Sequence, residues 1–251
     1  MTNFLDLIVA LAGIVLLGFV ALLSPADSTW FVVGLAIMAF CAAFFSIRFA
    51  GGKGAPIALV VGFLIVASAT GIVWQAATLL SLLAYLAVAR FVPILPSRGW
   101  WAPGRVPWLA TGVCALVTPI ALVSWVWFFK PDIQDLLQAI PDVSLPILAG
   151  GAIAFAVVNA LGEELIWRGL FQDRLAAVIG PSVAVLIQAL SFGVQHAHGF
   201  PRGIVGVAMA GVWAIMLGWL RTRSGGIAAP VIAHIVADAS VAAIVLSMAR
   251  S

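Results

Sequence analysis

Apolar residues run along this chain in long blocks that proline, glycine and charge interrupt at intervals. Nine blocks approach the length that a helix needs to cross a ~30 Å hydrocarbon core. They lie near 4–23, 30–47, 56–73, 76–92, 108–129, 147–174, 181–198, 203–220 and 226–248. The third and fourth are separated only by a short uncharged stretch around Trp74-Gln75. The first lacks a basic leading region and is long for a signal-peptide core, so a retained helix is expected, with Asp6 near its start. Between the fifth and sixth blocks, Asp132 to Ile140 reads as a short amphipathic segment on the outer surface. There is no internal repeat and no low-complexity tail.

Composition narrows this pattern to one class. Of 251 residues, 64% are hydrophobic and 8% charged, and the mean hydropathy is +1.21. A soluble domain carries about 25% charged residues. The fold class is therefore all-α, a polytopic transmembrane helical bundle of about 8–9 spans. Cys41 and Cys114 both lie in apolar runs, which argues against a disulfide framework or a CxxC metal site. With ten Trp and a single Tyr85, interface anchoring falls to tryptophan, and Trp100, Trp101 and Trp108 flank a Pro/Arg loop as in an aromatic belt. The net charge of +3 gives no reason to invoke nucleic acid.

Charge orients the bundle. With the N-terminus inside, the inner face holds Arg48, Lys53, Arg90, Arg98, Arg105, Arg168, Arg174, Arg221 and Arg223. The outer face holds only Lys130, Arg202 and Arg250, together with Asp27, Asp132, Asp135 and Asp142. This positive-inside bias places the N-terminus in the cytoplasm.

Three polar islands break the apolar blocks of the last third. Glu163, Glu164 and Arg168 share one, Phe192, His196 and His198 a second, and His234 and Asp238 a third. Ionisable groups at bilayer depth cost on the order of 2.5–3.5 kcal/mol each even on the mild insertion scale, so a chain that keeps several of them uses them. At 1.5 Å per residue, Glu163, His196, His234 and Asp238 fall about 16, 22, 12 and 18 Å deep in their blocks. All four sit near mid-membrane and can line one pocket. Glu164 and Arg168 stand one turn apart and can pair, whereas Glu163 is turned about 100° away and faces elsewhere. His234 and Asp238 share a face, as do Phe192 and His196. A carboxylate in such a site can act as a general base toward water, a histidine can relay the proton, and a second histidine can donate to a developing oxyanion. Gly-x-Ser-x-Gly is absent, and Ser191 has no strand-turn-helix context.

In order and spacing, Glu163-Glu164-x-x-x-Arg168, Phe192-x-x-x-His196 and His234-x-x-x-Asp238 resemble the three-motif signature of the CPBP (CAAX protease and bacteriocin-processing, or Abi) intramembrane glutamic proteases. The resemblance covers about residues 105–248. It implies an N-terminal set of helices, 1–104, followed by a protease-like core, 105–251. It also implies an intramembrane endopeptidase that cuts a membrane-embedded or lipid-anchored peptide. Glu163 and His196 resemble the family's water-activating pair, and His234 and Asp238 its oxyanion stabilisers. Glu164 and Arg168 resemble supporting residues, as does Phe192. The eukaryotic branch has Asn where this chain has Asp238; ionised Asp cannot donate a hydrogen bond, so Asp238 either stays protonated or orients His234. The expected partners are a hydrophobic or lipid-anchored substrate and membrane lipid, with no cofactor and no metal. Short loops point to a bacterial inner membrane.

Two other readings use the same residues. Glu163, His196, His234 and Asp238 are donor types that suit catalytic zinc, although no His-Glu-x-x-His helix exists. The cluster also suits a proton or solute relay, or an immunity or scaffold subunit that binds a peptide without cutting it. His198 reads as an interface residue, the remaining Trp and Phe as lipid-facing or belt residues, and Gly206-x-x-x-Ala210 as close helix packing.

Overall fold

A chain this apolar has no water to satisfy its backbone within a bilayer, so its peptide groups must pair internally, and helices do this locally. The computed structural model describes residues 2–22, 29–95 and 99–249, and these are helical with no strand among them. Asp27, Arg98 and Arg250, which entered the charge count, lie outside the described residues. The long helices are α1 (Thr2–Leu22), α2 (Thr29–Phe45), α3 (Ala55–Ala69), α4 (Trp74–Phe91) and α5 (Trp108–Phe129). They continue with α7 (Leu145–Glu164), α9 (Pro181–Gln195), α10 (Gly203–Ser224) and α11 (Ala228–Met248). Short α6 (Gln134–Gln138) occupies the amphipathic segment, and α8 (Gln172–Ile179) continues from α7. Among the described residues, seven helical segments are long and apolar enough to cross a membrane, and Ala55–Ala69 and Pro181–Gln195 are shorter. Proline in the first turn of α3, α7 and α9 starts each helix where a missing N–H costs nothing.

Two of the differences from the sequence pattern bear on the polar islands. The sixth span does not end at Arg174. Leu145–Ile179 forms one helical run of 35 residues, about 52 Å long at 1.5 Å per residue, far more than a bilayer core needs. Within it, Leu165–Phe171 is π-helix, starting directly after Glu164. The seventh span ends early: α9 stops at Gln195, and His196 caps it instead of lying inside it. Gly199, Pro201 and Gly203 follow closely, and a proline cannot continue a helix ladder.

One buried cluster joins the N-terminal helices to the later ones. Val9, Leu17, Ile57, Leu64 and Tyr85 belong to the same core as Trp167, Phe171 and Phe192. Helix α1 packs on α3 and α9, α4 on α7, and α11 on both α7 and α5. Helices α9 and α10 approach closely at Gly193, where a Cβ would meet the Val207 carbonyl at 2.7 Å and the Gly211 backbone at 3.2 Å. The expected contact at Gly206 is different: it lies against the Pro201 carbonyl at the start of its own helix. The Pro/Arg loop is pinned to the α10–α11 turn by Arg105 N–H to Ser224 O and Ile227 N–H to Ala102 O, both 2.9 Å.

Not every tryptophan is a belt residue. Trp108 and Trp127 are exposed, but Trp100, Trp125 and Trp167 are buried. Trp100 packs edge-on against Tyr85 with centroids 6.3 Å apart. Trp167 and Phe171, both in the π-helical segment, are buried, with ring centroids 5.8 Å apart.

Candidate active site

The pairing of α7 with α11 brings two adjacent glutamates against one histidine. Glu164 and Arg168 are fully buried and bonded at 2.7 Å. Arg168 is thus no inner-face loop charge, and the orientation argument loses it, although the bias keeps its direction. Its guanidinium also lies 4.4 Å over the Phe192 ring, a favourable place for a desolvated cation.

His234 sits between the two glutamates. Its Nδ1 meets Glu164 Oε1 at 2.7 Å. That oxygen already accepts from Arg168, so the imidazole nitrogen is the donor. Its Nε2 lies 3.6 Å from Glu163 Oε2 and 3.6 Å from Asp238 Oδ1. Those separations exceed hydrogen-bond length and leave Nε2 free to engage a third group. Trp213 stands edge-on to the ring with centroids 4.8 Å apart.

His196 arrives from the broken end of α9. Its Nδ1 lies 3.1 Å from the Phe192 carbonyl, an acceptor, so Nδ1 carries the proton and Nε2 the lone pair. The early end of α9 serves this arrangement, since a last-turn carbonyl has no helical partner and the side chain supplies one. Phe192 stacks on the ring with centroids 4.7 Å apart. His198 is exposed and outside the site. Ser191 accepts a 3.4 Å hydrogen bond from the Trp167 indole.

Glu163, His196, His234 and Asp238 all line one cavity of about 920 Å³. The four positions that depth arithmetic put at one level thus share one space. The remaining lining is largely apolar, with Leu136 from α6 and Ala139 and Ile140 from the turn that follows it. Neither Lys nor Arg occurs among the described lining residues. A smaller cavity of about 340 Å³, between α5, α10 and α11, reaches the same two histidines and Asp238. Outside the spans, Arg202 grips Asp135 of α6 through two bonds of 2.7 and 2.9 Å. The guanidinium holds that carboxyl below its usual range.

Three polar residues of the site escaped the pattern reading. Trp74 Nε1–H donates to Glu163 Oε1 at 2.6 Å. Asn159 Nδ2–H donates to Asp238 Oδ2 at 3.1 Å, and Gln75 Nε2–H donates to Asn159 Oδ1 at 3.1 Å. The separator between the third and fourth spans is therefore part of the site. Asn159 had a signal, standing one turn before Glu163 on the same face. Among the described residues, no group of three or more His, Cys, Asp or Glu is arranged to hold a metal ion.

Residues 145–240 match the family described as type II CAAX prenyl endopeptidase Rce1-like. The segment contains all three motifs, and the resemblance read from them is borne out. The chain is also similar to lipid phosphate phosphatase 2 of Arabidopsis thaliana, 28% identical over 116 residues. That match covers 45% of this chain and 40% of the plant protein, so the chain spans about two fifths of that relative's length. No solved structure matches the chain. The chain is an integral membrane protein with a CAAX-endopeptidase-like segment.

Proposed function

We propose that the protein is an intramembrane glutamic endopeptidase acting on a hydrophobic or lipid-anchored peptide. The observation that carries this reading is the convergence of Glu163, His196, His234 and Asp238 on one largely apolar cavity. Each histidine is held from behind through Nδ1, which leaves Nε2 for chemistry.

In this reading Glu163 and His196 take a proton from water as its oxygen attacks the scissile carbonyl carbon. The carbonyl becomes a tetrahedral oxyanion. His234, protonated at Nε2, donates to it and is held in place by Glu164. Collapse breaks the C–N bond, and the proton taken from water passes to the leaving nitrogen. The products are a new carboxyl end and a new amine. Asp238 accepts from Asn159 through one oxygen, which favours its orienting His234 over its donating to the oxyanion. Helix α6 forms part of the cavity's outer wall. The distribution of basic residues favours an N-terminus inside the cell, and the short loops favour a bacterial inner membrane.

The likeness to a lipid phosphate phosphatase suggests a different reaction. A phosphoryl group needs cations around its oxygens. This cavity instead presents carboxylates, no arginine is among its described lining residues, and Arg168 is committed to Glu164. Electrostatics therefore favour peptide hydrolysis.

Mass spectrometry of membrane peptides from cells with wild-type or Glu163→Gln protein tests the proposal. Loss of specific cleaved ends in the variant is expected. Identical peptide profiles at equal abundance would overturn it and favour a binding or transport role, and phosphate release from lipid phosphates that persists in the variant would favour the phosphatase.

A further inference from the structure

The two carboxylates that flank His234 Nε2 each have one oxygen toward the ring and one tied elsewhere. Glu163 Oε2 lies 3.6 Å from Nε2, while Oε1 takes the Trp74 indole N–H at 2.6 Å. Asp238 Oδ1 lies 3.6 Å from Nε2, while Oδ2 takes the Asn159 amide at 3.1 Å. Asn159 can make that bond only with its NH₂ turned toward Asp238. The Gln75 amide enforces the orientation by donating to Asn159 Oδ1. Both ties lead to adjacent residues, Trp74 and Gln75, the first two of α4.

Helix α4 is well held for this task. Gly162, beside Glu163, lets α4 approach so closely that a Cβ there would strike the Thr78 side chain. The Trp74 ring rests 6.2 Å from Trp167, which is itself fully buried. An indole N–H donates and cannot accept, so Trp74 has no part in carrying protons. It can only fix which oxygen of Glu163 is free and how the carboxylate is turned. Both residues lie outside the 145–240 segment that matches the endopeptidase family.

We propose that the first turn of α4 completes the reaction centre, with Trp74 and Gln75 as positioning residues for Glu163 and, through Asn159, for Asp238. The N-terminal helices then contribute to the chemistry as well as to the fold. The proposal rests on the hydrolase reading, because it assigns Glu163 the water-activating role.

Two measurements on full-length protein in lipid vesicles test it. The first uses a synthetic peptide spanning a cut that depends on Glu163. Trp74→Phe and Gln75→Ala each lower kcat by roughly tenfold to a hundredfold, the scale of a small misplacement of a reacting group, with KM within about twofold. A residue that only packs would instead change the folded fraction and leave kcat per folded molecule intact, and that outcome overturns the proposal. The second follows the ¹⁵N-indole resonance of Trp74, assigned by its loss in Trp74→Phe. It shifts in Glu163→Gln whether or not a peptide is cut, because a charged acceptor becomes a neutral amide. An unmoved resonance overturns the proposal without touching the hydrolase reading. A wild-type protein that cuts nothing, with a resonance that moves, overturns the hydrolase reading and with it the positioning role, while the bond stands.

Discussion

This protein buries carboxylates in two regions and surrounds them differently. Asp6 in α1 is fully buried. It accepts from the Ser46 hydroxyl at 2.6 Å and from the Gly54 N–H at 3.2 Å. Those bonds tie α1 to the π-helical turn that follows α2 and to the turn before α3, and neither cavity that reaches the histidines is lined by Asp6. Glu163 is buried too, but it faces an imidazole nitrogen across 3.6 Å and an open cavity. Glu164, one residue on, resembles Asp6 more than it resembles Glu163, since its charge goes to Arg168 and His234. A charge at membrane depth therefore does not by itself mark a catalytic group. Access to the cavity does.

The contrast predicts different losses on substitution. The largest is at Glu163: Glu163→Gln costs on the order of 10²–10⁴-fold in cleavage rate, the usual worth of a general base, with an unchanged melting temperature. His196→Ala follows the same pattern, and both are read by peptide cleavage beside thermal unfolding in detergent. Next comes the buried pair. Arg168→Leu leaves Glu164 in the interior with His234 alone as its partner and destabilises the protein by about 3–5 kcal/mol, read by unfolding in mixed micelles. Activity falls with it, because His234 loses a fixed partner. Asp6→Ala should cost about 1–3 kcal/mol through two orphaned donors. Its cleavage rate per folded molecule stays at the wild-type level.

The smallest effect concerns α6. Asp135 is exposed, and Arg202 lowers its pKa in the folded protein. A depressed carboxyl contributes stability above its unfolded value, about 3.9, and loses it as pH falls through that value toward the folded one. The melting temperatures of wild type and Asp135→Asn therefore differ slightly at pH 7 and converge below about pH 4. High salt shrinks the gap at pH 7.

Much of this was legible in the chain, and the exceptions have physical causes. The span at 108–129 has the bounds of α5, because Pro107 and the αL residue Lys130 punctuate it. The three motifs predicted which residues meet, since charge in an apolar run is costly enough to stand out. Trp74 and Gln75 did not stand out. One is apolar by composition, the other is neutral, and their importance comes from an α4–α7 contact across more than eighty residues. The sequence pairs Arg168 with Glu164 but does not show its depth, and the helical run that continues to Ile179 keeps it inside and off the inner face. The early end of α9 was missed because the run stays apolar beyond Gln195, while the backbone breaks where His196 can bond Phe192 O.

The most direct test places the two kinds of buried carboxylate side by side. Glu163→Gln and Asp6→Ala would be purified, reconstituted at equal folded concentration, and assayed for cleavage of a peptide that wild-type protein cuts. The account predicts that cleavage by Glu163→Gln falls on the order of 10²–10⁴-fold and that Asp6→Ala cleaves at the wild-type rate. Near-wild-type cleavage by Glu163→Gln would contradict it.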